Sequence, residues 1–380
     1  MQSLEGFFDL QLAESLPAFA DALSVIAYNF NVLYVDRRGN IAYFHVGRIP
    51  IRAAGDDPWL PHDGTGGAEW QGFIPWDEMP RSINPDQGWL TSWNNKPQAN
   101  WPNSTGGFWA QGPVHRVNTL MNLLGDLESR SATPETVAEF NRVAGLTTDT
   151  PSGSAGTVFV STLLDDMLAH VDTAADARLP DVVGLLADWD WLQEDSNADG
   201  KYDSPAVTVF NRWWRELIDR VFGDEFAVAR LDGNVAGNLV ARLLDPVPAV
   251  PPLHDYLDGE TIDGALTASL VDALDDLTTE FGSADSATWL QDIAVIHWSP
   301  IGAGSVPDTL WMNRGTYNQI THMRGNGTAV NVISPGQSGD PFSPHFADQL
   351  DLYAGWAYKT MHLTHGAARS NAESVTVLQP

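Results

Sequence analysis

Asn31-Val32-Leu33-Tyr34-Val35-Asp36-Arg37-Arg38-Gly39-Asn40-Ile41-Ala42-Tyr43-Phe44-His45-Val46 is the stretch whose reading sets the fold class. β-Branched and aromatic residues crowd both ends, while Asp, Arg, Gly and Asn fill the middle. That pattern predicts two strands, Asn31–Val35 and Ile41–Val46, joined by a turn at Arg37–Asn40. The residues before it follow another period. Leu10, Leu12, Leu16, Phe19, Leu23 and Ile26 fall at helical spacing over residues 5–27, with Pro17 interrupting near the middle. A helical segment feeding a hairpin implies an α+β arrangement.

Residues 47–113 are rich in Pro, Gly and Trp and have little periodicity. A long irregular segment inside a compact domain is usually functional. It contains Trp93-Asn94-Asn95-Lys96-Pro97 and leads to the pair His115-Arg116. Two adjacent carboxamides between Trp and Pro suit a rigid turn that fixes side-chain NH2 donors. Such donors are what an oxyanion hole needs, because negative charge develops on an acyl oxygen in the transition state. On the dipeptide alone the commoner outcome is a turn whose amides cap backbone groups.

From Arg116 to Phe281 helices are expected to dominate. Thr133 precedes Pro134 and Ser204 precedes Pro205 as N-terminal caps. Val207, Phe210, Trp213, Trp214, Leu217 and Val221 form an apolar stripe at a spacing of three to four, which predicts a core face. The tail returns to strands at Ile293–Trp298 and Ala329–Ile333, then to a helix near Phe346–Leu363. The chain thus divides into a hairpin and loop part (1–115), a mainly helical part (116–285) and a return to the core (286–380).

Composition narrows the function. The 380 residues carry a net charge of −29, and lysine occurs only as Lys96, Lys201 and Lys359. Nucleic acid and anionic membranes need the opposite sign, so neither is an expected partner. Carboxylates replacing lysine fit a surface solvated at high salt, where screening relieves self-repulsion. With no cysteine there is no thiolate nucleophile and no disulfide. No apolar run reaches the ~20 residues of a membrane span.

One metal-ligating pattern stands out. Asp195-Ser196-Asn197-Ala198-Asp199-Gly200-Lys201-Tyr202-Asp203 places oxygen ligands at Asp195, Asn197, Asp199 and Asp203 around a turn glycine, as a Ca²⁺ loop requires. The twelfth position is Ala206 rather than a bidentate Glu, so a full EF hand is excluded. A partial loop would draw on Glu194 or Asp203. In so acidic a chain an Asp/Asn/Gly turn also arises by chance. His362 and His365 lack the further ligands a zinc site needs.

An ordered series of motifs ties these pieces together: Asp36–Pro50, Asp57-Pro58-Trp59-Leu60-Pro61, Gly64-Thr65-Gly66, Glu69–Pro75, Asn84-Pro85, the Asn94–Asn95 turn and His115-Arg116. Ser334-Pro335-Gly336-Gln337-Ser338-Gly339, Asp348-Gln349-Leu350 and Tyr353 follow near the end. The series resembles the β chain of the penicillin acylases, a branch of the N-terminal-nucleophile hydrolases. The likeness is strong over roughly residues 20–120 and 310–360 and looser between. It implies the C-terminal part of that β chain: a partial αββα sandwich with a large helical insertion.

The resemblance also implies chemistry. In the family a serine attacks an amide carbonyl with its own α-amine as base, so no histidine is required. The Asn matching Asn94 donates to the tetrahedral oxyanion, the Arg matching Arg116 steadies the nucleophile's surroundings, and Phe30 falls where an apolar residue lines the acyl pocket. An ion pair for Arg116 and an ordinary core position for Phe30 are the structural alternatives. The family binds calcium partly near Pro58 and in the loop before the Arg, where Thr105 replaces the expected Asp. Family members are usually exported. The serine segment is not among these residues, so the expectation is a separate chain that supplies it together with pairing strands.

The first functional reading is therefore part of an amidohydrolase acting on small N-acyl compounds such as penicillins or acyl-homoserine lactones. The second is a non-catalytic remnant or calcium-binding subunit. A third, an aromatic-rich carbohydrate-binding module, has only the 15 tryptophans behind it.

Overall fold

The computed structural model describes residues 2–57, 60–62, 64–93, 95–99, 101, 115–127, 132–147, 160–229, 236–245, 251–299 and 306–377. They fall into two compact units. One comprises residues 1–134, 320–329 and 361–380, the other 135–319 and 330–360.

The first unit opens with α1 (Gln2–Leu12) and α2 (Leu16–Ser24). Pro17 does not kink one long helix; it starts the second. Its missing N–H costs nothing in a first turn, and the Ser15 hydroxyl caps the turn by accepting from Ala18 N. The predicted hairpin follows as β1 (Phe30–Val35) and β2 (Ile41–Val46), antiparallel, with Asn31 opposite His45 and Leu33 opposite Tyr43. Asp36 closes the turn, its Oδ1 accepting from Arg38 N and Asn40 N, and Gly39 takes a φ of 87° that a side chain would resist. Leu23, Ile26, Ala42, Phe44 and Val46 make the core beneath.

The irregular segment after β2 is more ordered than its sequence predicts. A third strand, β3 (Arg81–Ile83), pairs with β2, so β2 is central and β1 lies at the edge of the sheet among the described residues. Three residues are too few to show a period, which hid this strand. The loop's two ends are also laced together, with Gln71 N donating to Ile51 O and Ile74 N to Ile49 O. Helix α3 (His115–Gly125) follows.

The second unit is mainly helical: α4 (Pro134–Leu146), α5 (Val160–Ala169), α6 (Leu179–Ala187), α7 (Pro205–Ala229), α8 (Ala236–Leu244) and α9 (Ile262–Phe281). The stripe from Val207 to Val221 is buried throughout, as predicted, and faces Leu266, Leu270, Ala273 and Leu274 of α9. Arginines on α7 reach acids on or beside α9: Arg212 to Asp276 and Glu280, Arg220 to Glu260 and Asp272.

The tail corrects the sequence reading. Instead of one helix near Phe346–Leu363, the chain forms a one-turn helix α10 (Leu350–Ala354) and a strand β8 (Lys359–Met361), then α11 (His365–Ser370). Gly355 ends the first turn, and Trp356 then adopts a left-handed φ of 54° that redirects the chain. Short strands β4 (Val295–Ile296) and β5 (Thr309–Leu310) pair with each other. Strands β6 (Tyr317–His322), β7 (Thr328–Ile333) and β8 form a third sheet in that order. Helices with small antiparallel sheets are the α+β class that the sequence implied.

A polar knot sits in this tail. Gln349, almost fully buried, accepts from Ile333 N through its side chain and donates its own N–H to Pro335 O. Tyr353 donates its hydroxyl to Arg314 O, and Arg314 donates back to Tyr353 O. The Arg314 guanidinium lies over the rings of Tyr353, Trp356 and Tyr358 at 4.5–5.0 Å, and no carboxylate pairs with it among the described residues. Burial pushes its pKa down and that of Tyr353 up to about 12.

Candidate functional site

Phe30, the first residue of β1, is half-buried. Its ring stacks on Phe7 at 6.0 Å and tilts against Tyr28 at 5.8 Å, while its inner side packs on the core beneath the hairpin. Phe8, next to Phe7, and Tyr28, two residues before Phe30, are largely exposed, at 66% and 70%. Phe30 is therefore part core residue and part of an open aromatic patch.

The next residue, Asn31, occupies the centre of a polar cluster. Tyr43 Oη donates to Asn31 Oδ1 at 2.7 Å, His45 Nδ1 lies 2.8 Å from the same oxygen, and Asn31 Nδ2 donates to Ser92 Oγ at 3.0 Å. A carboxamide oxygen only accepts, so His45 carries its proton on Nδ1. Burial lowers the His45 pKa to about 4 and raises that of Tyr43, so the imidazole is neutral at pH 7. Its Nε2 is buried without a partner, as is Trp101 Nε1, and the two rings meet edge to face at 5.6 Å.

Ser92 leads into the carboxamide turn. Trp93 N donates to Asn95 Oδ1 at 2.9 Å, and Asn95 Nδ2 donates to Lys96 O at 3.0 Å. Asn95 thus caps backbone groups, the ordinary role of Asn in turns. Asn94 lies outside the described residues. Arg116 stands in the first turn of α3, and its side chain lies outside the described part.

Pro58 and Thr105 also lie outside the described residues. Beside Pro58, the nearly buried Asp56 carboxylate meets Arg52 at 3.5 Å and His62 at 3.3 Å. In the 195–203 loop, Asp195 accepts from Asp199 N and Gly200 N, Asn197 from Asp199 N, Asp199 from Lys201 N, and Asp203 from Ser196 N. Glu194 is drawn away to Arg142. The loop's side-chain oxygens serve its own backbone, and among the described residues no three His, Asp or Glu side chains gather as a metal-holding group. His362 and His365 are exposed. Trp70 is the one exposed tryptophan among the described residues.

The Asn31 cluster escaped sequence reading. Its signal was present in the register: the hairpin turn sets Asn31 opposite His45, and two polar residues paired on a mostly apolar hairpin call for a shared partner. Ser92 gave no such signal, because it joins the cluster from 61 positions away. Among the described residues no helix is long and apolar enough to cross a membrane.

Comparisons place this arrangement. The solved structure of a thermostable penicillin G acylase from Alcaligenes faecalis superposes with a TM-score of 0.81 at 26% identity, covering 100% of this chain and 73% of that one. Penicillin G acylase of Escherichia coli is 26% identical over 396 aligned positions, 93% of this chain and 45% of that protein. An acyl-homoserine lactone acylase of Pseudomonas syringae is 34% identical over 97 residues, 25% of this chain. The chain spans about half the length of the longer curated matches, 45% in each case. The sequence model for penicillin amidase matches residues 1–370. With that match along nearly its whole length, and with the fold of a penicillin G acylase, the chain belongs to the penicillin amidase family.

Proposed function

We propose that this chain forms the oxyanion-binding and acyl-pocket part of an acylase that cleaves linear amides of small N-acyl compounds. Asn94 donates its side-chain NH2 to the tetrahedral oxyanion, Arg116 steadies the nucleophile's surroundings, and Phe30 lines the acyl pocket. The attacking serine, with its α-amine as base, is supplied by a separate chain that also brings pairing strands. The observation that supports this best is the Asn31–Ser92 hydrogen bond of 3.0 Å. It joins the strand that begins at Phe30 to the stretch that carries Asn94, so the two halves of an acyl site share one anchor.

The chemistry is acyl transfer. The serine oxygen gives its proton to the α-amine and bonds to the amide carbon while the carbonyl oxygen takes the negative charge against Asn94; the carbonyl then re-forms, the C–N bond breaks, and the α-amine passes that proton to the leaving nitrogen. Water then hydrolyses the ester by the reverse order of proton movements. The acyl side can also be an aliphatic chain, as the 34% identity to an acyl-homoserine lactone acylase favours.

The test is purification in high salt from the native source, with intact mass of every chain and turnover of a chromogenic phenylacetyl amide and a long-chain acyl-homoserine lactone. A co-purifying chain that begins with serine, with hydrolysis of either substrate, is the expected result. The chain emerging alone and inert would leave it a non-catalytic member of the family.

A further inference from the structure

We propose that Asn31 and His45 are positioning residues that clamp both ends of the segment 92–101, and that this clamp sets the oxyanion donor's place. The proposal rests on the acylase reading above and deepens it. One end of the segment is held by hydrogen bonding, since Asn31 Nδ2 donates to Ser92 Oγ at 3.0 Å. The other end is held by packing, since Trp101, 4% exposed, lies edge to face on His45 at 5.6 Å. Asn31 and His45 are themselves locked together at 2.8 Å on paired strands, and Tyr43 fixes the same Asn31 oxygen from two residues away.

The cluster is built for rigidity. Asn31 Oδ1 accepts two hydrogen bonds and its NH2 makes a third, so three neighbours hold the carboxamide in place. Each hydrogen bond inside such a buried cluster narrows its geometry, because breaking it leaves further polar atoms unpaired. His45 is 4% exposed and Tyr43 8%, so neither has water to turn to. Between those ends the described residues have no helix or strand, and Lys96, Gln98 and Ala99 are exposed, so packing of their own does little to hold a catalytic amide to the tolerance that transition-state stabilisation demands. The clamp supplies that hold from the sheet, which is the firmer element.

The experiment uses the native assembly containing this chain, with Ser92→Ala, Ser92→Thr and Asn31→Asp. Ser92→Ala removes the acceptor; Asn31→Asp keeps the oxygen for Tyr43 and His45 but removes the donor; Ser92→Thr keeps the hydroxyl. We expect kcat to fall about tenfold in the first two with KM within about twofold, and to recover in Ser92→Thr. Hydrogen–deuterium exchange of peptides covering 89–101 should rise in the same two variants and nowhere else in the first unit. Unchanged exchange in both would overturn the clamp, whatever the activity. Faster exchange with unchanged kcat would overturn its positioning role. A wild-type assembly that turns over no amide would instead overturn the acylase reading and the positioning role with it, while exchange alone would still show whether the clamp exists.

Discussion

Trp213 on α7 donates its indole N–H to Leu266 O and to Ser269 Oγ on α9, both at 3.1 Å, from a position with no exposed surface. One side chain thus fills the helix–helix seam and adds a donor to a carbonyl that also accepts from the Ser269 hydroxyl. Trp213→Ala should cost about 3–5 kcal/mol through cavity formation. Trp213→Phe should cost less, about 1–3 kcal/mol, because it mainly removes the donor. Urea unfolding followed by circular dichroism checks both values and their order.

Gly336 sits where a Cβ would come within 2.3 Å of His345 O and 2.6 Å of Phe346 O. Both are backbone atoms; His345 O accepts from Ser338 N, and Gln349 N ties the same stretch to Pro335 O beside the glycine. Nothing there can yield cheaply. Gly336→Ala is expected to destabilise the second unit by about 1–3 kcal/mol or more, whereas Gly339→Ala, with open space around it, should leave the melting temperature almost unchanged.

His45 makes stability depend on pH. Its folded pKa is about 4 against 6.5 for the free group, so the unfolded chain binds a proton over that interval while the folded chain does not. Stability from this residue is complete above pH 6.5 and falls as pH drops toward 4, by up to about 3 kcal/mol at 1.36 kcal/mol per unit. Denaturant midpoints at pH 7 and pH 4.5 should differ less in His45→Gln than in the wild type. Equal differences would remove His45 from the acid response.

Asn94→Ala in the native assembly should lower kcat by about 10²–10³ and leave KM close to its starting value, because an oxyanion donor acts in the transition state. A rise in KM at constant kcat would assign Asn94 to substrate binding instead.

The chain by itself should associate in dilute buffer. Leu4, Phe8, Leu12 and Tyr28 are each at least 62% exposed, Leu33 and Val35 project from the edge strand, and β1 leaves one side unpaired among the described residues. The net charge of −29 opposes compaction most when salt is lowest. Size exclusion at low and molar salt is the check; a sharp monomer at low salt would contradict it.

How much of this could be read from the residues depends on range. The hairpin was legible because strand period and turn chemistry lie within 16 consecutive residues. The α7 stripe was legible for the same reason. β3 was not, since three residues carry no period, and the tail helix was misjudged because Trp356 in a left-handed conformation has no sequence signature. Of the site, the motifs pointed to Phe30, Asn94 and Arg116, but the Asn31–Ser92 bond depends on folding across 61 positions and could be found only in three dimensions.

Arg314 carries a last consequence. In a chain with 49 acidic residues, this cation, 5% exposed, is held by the faces of three rings and two carbonyl-type oxygens, Asn318 Oδ1 and Tyr353 O. Contacts of that kind are short-ranged and shielded from mobile ions, unlike the exposed pairs that link α7 to α9. Brine should therefore weaken the ion pairs of the helical seam and leave this tail fastening alone. The tail thus keeps a joint whose strength depends little on the surrounding salt.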